Sequence, residues 1–330
     1  MPRRTLPVAA ALLVLVLLAA WVSTTQGEYR VAPLDVARAA LGLETSDPND
    51  VLVVRSFRLP RIALATLVGA SLAMSGAILQ GLTRNGLAEP GVLGVSQGAG
   101  LAAVALLTLA PDAPAALLPW VALLGGSLTA ALVYLLAWKG GTSPVRLILV
   151  GIGVSAVASA LTTYLTVLGD VTDVQRALLW LTGSVYGRDW EHVRSLGVWL
   201  LVLAPAALLG SRALNALALG EQAAKALGQR VDLARAALVT VAVALACGAV
   251  AVAGAIAFVG LVAPHAARRL VGPAHEALLP VSALLGALLL VVADLIGRTA
   301  IAPSQLPVGI VTAVVGAPYL IYLLLRERRS

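Results

Sequence analysis

The sequence predicts an all-α polytopic membrane protein with about ten transmembrane helices, organised as one transmembrane domain over residues 1–330. Three observations carry that prediction. Apolar residues make up 60% of the chain and charged residues 12%, against ~45–50% and ~25% in soluble domains. The apolar residues gather into runs of about 20, the length at which a helix crosses the hydrocarbon core of a bilayer. The charges fall between those runs. With a mean hydropathy of +0.95, the surplus apolar surface must face lipid, because a soluble core of this size would leave it exposed and aggregation-prone. Disorder, a soluble enzyme and a nucleic-acid-binding domain are thereby excluded for the whole chain. The pI of about 10.2 does not revive the last of these, since the cations form no basic face.

Ten candidate spans follow in order, near 6–22, 62–82, 92–109, 115–138, 146–168, 193–210, 234–253, 255–270, 278–297 and 307–325. The first looks like a signal peptide, with Arg3 and Arg4 before an apolar core. No small-x-small cleavage site follows Trp21, so it reads as a retained first helix. With both ends in the cytoplasm, 14 of the 23 Lys and Arg fall inside and 9 outside, and net charge is +9 inside and −2 outside. The positive-inside rule therefore predicts both termini in the cytoplasm. Small residues at helical spacing (Gly69 with Ala73, Ser71 with Ser75, Gly94 with Gly98) suit close helix packing in lipid. Trp21, Trp120, Trp138, Trp190 and Tyr319 sit near span ends as interfacial anchors.

Chemistry of its own is hard to find in this chain. It has no Gly-x4-Gly-Lys-Ser/Thr loop for nucleotide phosphates, and Gly151-Ile152-Gly153 lacks the third glycine of a dinucleotide fingerprint. His192, His265 and His275 lie without metal-ligand spacing, and Cys247 is the single cysteine. Asp294 is the one acid well inside a proposed span, where it could pair with nearby Arg298 or relay protons. No catalytic residue, metal site or resident cofactor is expected, and any energy source must lie on another chain.

Four polar segments are too specific for plain connectors: Arg55-Ser-Phe-Arg58-Leu-Pro-Arg61, Gln80 to Ala99, Leu217 to Gly228, and Ala253 to Arg268. Leu306-Pro307-Val-Gly309 and Gly316-Ala-Pro318-Tyr319 follow. Together, in order and at these spacings from Arg55 to Arg326, they resemble the FecCD family, the permease subunits of ATP-binding-cassette importers for iron-siderophores, haem and cobalamin. Gly86 departs from the family, which usually has proline in its Asn-Pro-Leu-Ala turn, and a freer gate turn is expected there.

The resemblance implies a type II importer permease in the cytoplasmic membrane, working by alternating access. Its implied partners are a second permease subunit, identical or paralogous, two cytoplasmic ATPases that carry ATP and Mg, a substrate-binding protein outside, and membrane lipid. No nucleic acid is implied. The cargo expected first is a ferric-siderophore, with cobalamin or haem as alternatives. An ion-coupled secondary transporter is the rival from another class, disfavoured by the scarcity of buried ionisable groups.

Three site expectations complete the reading. Within a coupling loop at about 211–233, the segment Gly220, Glu221, Ala223, Ala224, Leu227 and Gly228 is expected to dock on the ATPase, with the alanines as a small contact surface. Asn85 and Leu87, with Thr142, Ser143, Pro144 and Val145, are expected to close the cytoplasmic gate. Arg58, Arg61 and Arg298 are expected to receive carboxylates of the binding protein.

Overall fold

A computed structural model describes residues 5–27, 29–139, 143–301 and 304–327. Among them lie fifteen α-helices: α1 (Thr5–Thr25), α2 (Pro33–Leu41), α3 (Pro48–Leu52), α4 (Leu59–Thr83), α5 (Val95–Leu109), α6 (Leu118–Ala137), α7 (Pro144–Leu168), α8 (Val171–Leu181), α9 (Trp190–Leu209), α10 (Ser211–Ala218), α11 (Glu221–Ala226), α12 (Val231–Ala253), α13 (Val259–Val271), α14 (His275–Thr299) and α15 (Val308–Glu327). A π-helical turn, Val53–Arg58, joins α3 to α4.

Each of the ten candidate spans falls on a helix, but they are not equivalent crossings. Seven segments are long and apolar enough to cross a membrane, and Val95–Leu109 and Val308–Tyr322 are shorter apolar helices. The candidate near 255–270 needs correcting. Its helical part, α13, has 13 residues and ends in Arg268 and Arg269. At 1.5 Å per residue it reaches about 20 Å, well short of a ~30 Å core. Residues 254–258 precede it as a non-helical strap. The candidate near 92–109 is likewise divided, into a 3-10 turn over Pro90–Leu93 and the 15-residue α5.

Irregular backbone at membrane depth must find its hydrogen bonds within the protein. Here the Glu89 carboxylate accepts from Phe258 N–H at 3.1 Å, and Ser184 N–H donates to Ala253 O at 2.7 Å. Gly309 N–H donates to Gly183 O at 3.1 Å. The strap therefore ties the Pro90 turn, the segment after α8 and the start of α15 together.

α4 is the hub, packed against α14, α12, α13 and α9. Its small residues allow this. A Cβ on Gly69 would overlap the Gly286 carbonyl of α14, and one on Gly76 would overlap the Gly260 carbonyl of α13. The Gly94–Gly98 pair brings α5 against α6, where a Cβ on Gly98 would overlap Thr129. Ser75 Oγ donates to Ala242 O of α12 at 2.6 Å.

Two faces follow from these contacts. α10, α11, the end of α4 and the start of α14 share one, here called the α11 face, which the charge bias assigns to the cytoplasm. The ends of α1 and α14, the start of α4, and α2, α3 and α8 share the opposite one.

Candidate functional site

Four places bear on transport: the α11 loop, the turn after α4, the arginine cluster on the opposite face, and the bare flank of α7.

Gly220 enters α11 at φ 113°, a conformation that favours glycine, and Gly228 leaves it at φ 79°. The exit is a glycine cap: Gly228 N–H bonds Lys225 O at 2.9 Å and Gln229 N–H bonds Ala224 O at 3.0 Å. Glu221 sits in the first turn and pairs with Lys225 at 2.8 Å and Arg235 at 3.5 Å. The Lys225 hydrogen bond and charge, with Arg235 behind, hold the Glu221 carboxyl below its usual range. The expected alanine surface is only partly there. Ala224 is fully buried, packed inward with Leu217 and Val231, so it anchors α11 rather than presenting a contact. Glu221, Gln222, Lys225, Ala226 and Leu227 are the exposed side chains, with Leu227 at 69%.

A second feature of this face was invisible in the sequence. Asn215 of α10 accepts from His275 N–H at 2.9 Å and meets its Nδ1 at 2.8 Å, while its Nδ2 donates to both Glu276 oxygens at 2.8–2.9 Å. One amide thus ties the coupling loop to the first turn of α14. Nothing in the spacing of Asn215 and His275, 60 residues apart, could have revealed it.

The turn after α4 is built on Asn85. Arg84 takes the left-handed conformation at φ 51°, Asn85 N–H returns to Gln80 O at 3.3 Å, and Asn85 Oδ1 accepts from Leu87 N–H at 2.9 Å. Gly86 itself is not left-handed, and a Cβ there would meet nothing nearer than Arg268 at 3.8 Å. The departure from proline therefore leaves the turn held by Asn85. The Val92 carbonyl packs on Gly151 of α7. Of the second gate segment, Ser143 caps α7, Pro144 opens it and Val145 is 64% exposed; Thr142 lies outside the described residues.

Arg58, Arg61 and Arg298 come together as expected, but they are turned inward. Arg58 and Arg298 are each 6% exposed. Arg58 donates to Thr24 O and Tyr29 O, and Arg298 to Ser23 O and, at 2.7 Å, to Ser23 Oγ. Both cations thus meet the carbonyls at the end of α1, where the helix dipole is negative. Arg61 grips Asp294 through Nε at 3.0 Å and Nη2 at 2.9 Å, and reaches Gln305 at 2.8 Å. Asp294 also faces Arg298 at 3.9 Å, which makes it a structural counter-charge.

The flank of α7, like those of α1 and α9, is largely uncovered. Only Leu147, Gly151 and Ala158 of its 25 residues are buried. Its open side is not uniformly apolar: Gly153, Ala156, Ser159 and Thr163 recur at helical spacing among exposed residues. Among the described residues, no group of three or more His, Cys, Asp or Glu could hold a metal ion.

Comparison with known proteins spans the chain that carries all four places. The profile of the FecCD transport family matches residues 12–326. The Iron(3+)-hydroxamate import system permease protein FhuG of Bacillus subtilis is 43% identical over 330 residues, covering 98% of each chain. The Achromobactin transport system permease protein CbrC of Dickeya dadantii is 46% identical, covering 97% of this chain and 90% of that one. Among solved structures, a chain described as an inward-facing conformation of a metal-chelate type ABC transporter superposes with a TM-score of 0.87 at 32% identity, covering 97% of this chain and 99% of that one.

Proposed function

Because the chain belongs to the FecCD transport family, we propose that it is the membrane-spanning permease subunit of an ATP-binding-cassette importer that carries a ferric-siderophore across the cytoplasmic membrane. It is a transport subunit and not an enzyme. The observation that carries the reading is the end-to-end match to import-system permeases, with every transport-related segment falling inside it.

The parts then take roles. Both termini and the α11 face lie in the cytoplasm, following the +9 inside bias. ATP and Mg belong to a pair of ATPases seated on Leu227, Lys225 and Ala226, with Glu221 ordering the helix and Gly220, Ala223, Ala224 and Gly228 shaping it. Movement of α11 reaches α14 through Asn215. Asn85 and Leu87, facing Ser143 to Val145 of a second permease subunit, close the inner end of the pathway by dewetting and hydrogen bonding. The polar stripe on α7 lines that pathway, and the apolar remainder of its flank meets the second subunit or lipid.

The binding protein docks on the opposite face around Arg61. Docking through Arg58 and Arg298 as well requires the end of α1 to yield, since it holds both guanidinium groups. Cobalamin or haem as cargo remain the alternatives.

The test is reconstitution of the chain in liposomes with its second permease subunit, ATPases and binding protein. Uptake of iron-59 siderophore that needs both ATP and the binding protein supports the reading. Uptake driven by an ion gradient without the ATPase would instead make it a secondary transporter.

A further inference from the structure

On the face opposite α11, a cavity of about 880 Å³ lies between the end of α5, the start of α6, α8, the segment 184–188 and the residues leading into α15. Three arginines line it, Arg61, Arg176 and Arg188, and among the described residues no carboxylate does. In a membrane protein of this low charge content, three guanidinium groups in one cavity mark a place where negative charge is received.

Each arginine is held from behind. Asp294 grips Arg61, Asp173 pairs with Arg176 at 3.4 Å, and His192 Nε2 meets Arg188 Nη1 at 3.3 Å. His192 is itself fixed by Asp189, which contacts its Nδ1 at 2.8 Å. With Nδ1–H donating to Asp189, the ring proton is held on Nδ1 and Nε2 accepts from Arg188. The carboxylates therefore sit outside the lining; Arg61 is fully engaged by Asp294 and Gln305, which leaves Arg176 and Arg188 as the cations with donors to spare. Two buried donors on the wall, Arg188 Nε–H and Trp180 Nε1–H, have no hydrogen-bond partner among the described residues. Buried donors without acceptors are rare and call for an explanation.

We propose that this cavity receives the ferric chelate as it leaves the binding protein, and that the chelate is anionic, its iron(III) held by carboxylates or catecholates. The proposal rests on the importer reading above and narrows its cargo. Three catecholates around iron(III) leave a net charge of about −3 and carboxylate chelates are also negative, whereas three hydroxamates leave none; guanidinium forks match the first two classes. The volume lies in the ~300–1,000 Å³ range of small-molecule sites. Partial neutralisation from behind keeps the site from trapping its cargo, as a conduit requires. The recessed position of Arg188 disfavours the other acidic occupant, a side chain of the binding protein, which would be met at the rim.

The experiment uses the complete importer in nanodiscs and compares the wild type with the double variant Arg176→Gln/Arg188→Gln. Arg194→Gln, an exposed cation outside the cavity, serves as control. Retention of iron-59 tris-catecholate, citrate and trihydroxamate chelates is measured at low and high salt, with binding-protein affinity measured in parallel. The expected result is retention of the two anionic chelates over the trihydroxamate, lost about tenfold or more in the double variant and falling with salt. Binding-protein affinity and the Arg194→Gln control should not move. Preference for the neutral chelate, or equal loss for all three, overturns the proposal while leaving the importer reading intact. Loss of binding-protein affinity alone would make the cavity a docking socket, which also overturns it. Retention of no chelate, together with no ATP-dependent uptake, would bring down the importer reading itself.

Discussion

α4 and α7 are both 25 residues long, both apolar and both opened by proline near the first turn, yet they live in different surroundings. In the most apolar window of each, 78% of the residues around α4 are buried, against 17% in α7. Hydropathy cannot separate them, because lipid and protein neighbours are equally apolar. What separates them is where small residues meet backbone. Gly69 and Gly76 each face a carbonyl of another helix, while Gly153 of α7 has nothing within 4 Å of where a Cβ would stand. α4 is built to be enclosed by its own chain, whereas α7 keeps a flank for something outside it.

The largest expected effect follows from that contrast. Gly76→Val drives a side chain into the Gly260 backbone, which cannot retreat without separating α4 from α13. We expect a loss of about 1–3 kcal/mol, seen as a collapsed monodisperse peak in detergent and a lowered Tm. Gly153→Val should leave both unchanged in the isolated chain and impair only the assembled importer. A normal Tm for Gly76→Val would mean that the glycine contacts do not govern which helix lies inside.

Next in size is the coupling loop. Leu227→Asp puts a charge on the exposed surface of α11 and should lower ATP-driven uptake about tenfold, with membrane insertion unaffected. Ala224→Arg, by contrast, should destabilise the loop itself, because Ala224 is buried. Proteolysis of residues 219–230 separates the two outcomes: faster cutting for Ala224→Arg, an unchanged rate for Leu227→Asp.

Arg298→Gln removes a cation from the end of α1 and leaves the Ser23 carbonyl without its charged donor. A cost of about 1–3 kcal/mol is expected, read as greater thiol reactivity of a Thr24→Cys variant. The smallest effect concerns Glu221. Its carboxyl is held below the usual range, so its contribution is present at neutral pH and is lost as pH falls through that lowered value. Glu221→Gln at pH 7 should reproduce the loss, about 0.3–0.5 kcal/mol for an exposed i,i+4 pair, as a slight rise in amide exchange over residues 222–227.

The all-helical fold and the order of its apolar helices were legible because they rest on long apolar runs, and the short helix bounded by Gly220 and Gly228 was legible from its glycines. The failures share a physical cause. The run near 255–270 is apolar enough to read as a span, but most of it is buried against the rest of the chain, so residues 254–258 can leave the helix, with Phe258 N–H bonded to the Glu89 carboxylate. Arginines at a span end look like docking residues when partners cannot be seen; two of these three are occupied by the carbonyls of a helix more than 30 residues away in sequence. The cavity arginines Arg176 and Arg188 drew no notice because helix α8, which presents the first, is amphipathic and too short for a span reading.

The central claim is that the bare flank of α7 lines a water-filled pathway between two permease subunits. It is tested most directly by thiol labelling of the assembled, reconstituted importer in a Cys247→Ser background. Gly153→Cys and Ser159→Cys on α7 are compared with Leu15→Cys on the lipid-facing side of α1, which is 47% exposed in the single chain. A water-soluble, membrane-impermeant maleimide should label both α7 sites, at a rate that changes when ATP is added, and should leave Leu15→Cys untouched. Equal protection of all three sites, with or without ATP, would place the α7 flank in lipid and contradict the account.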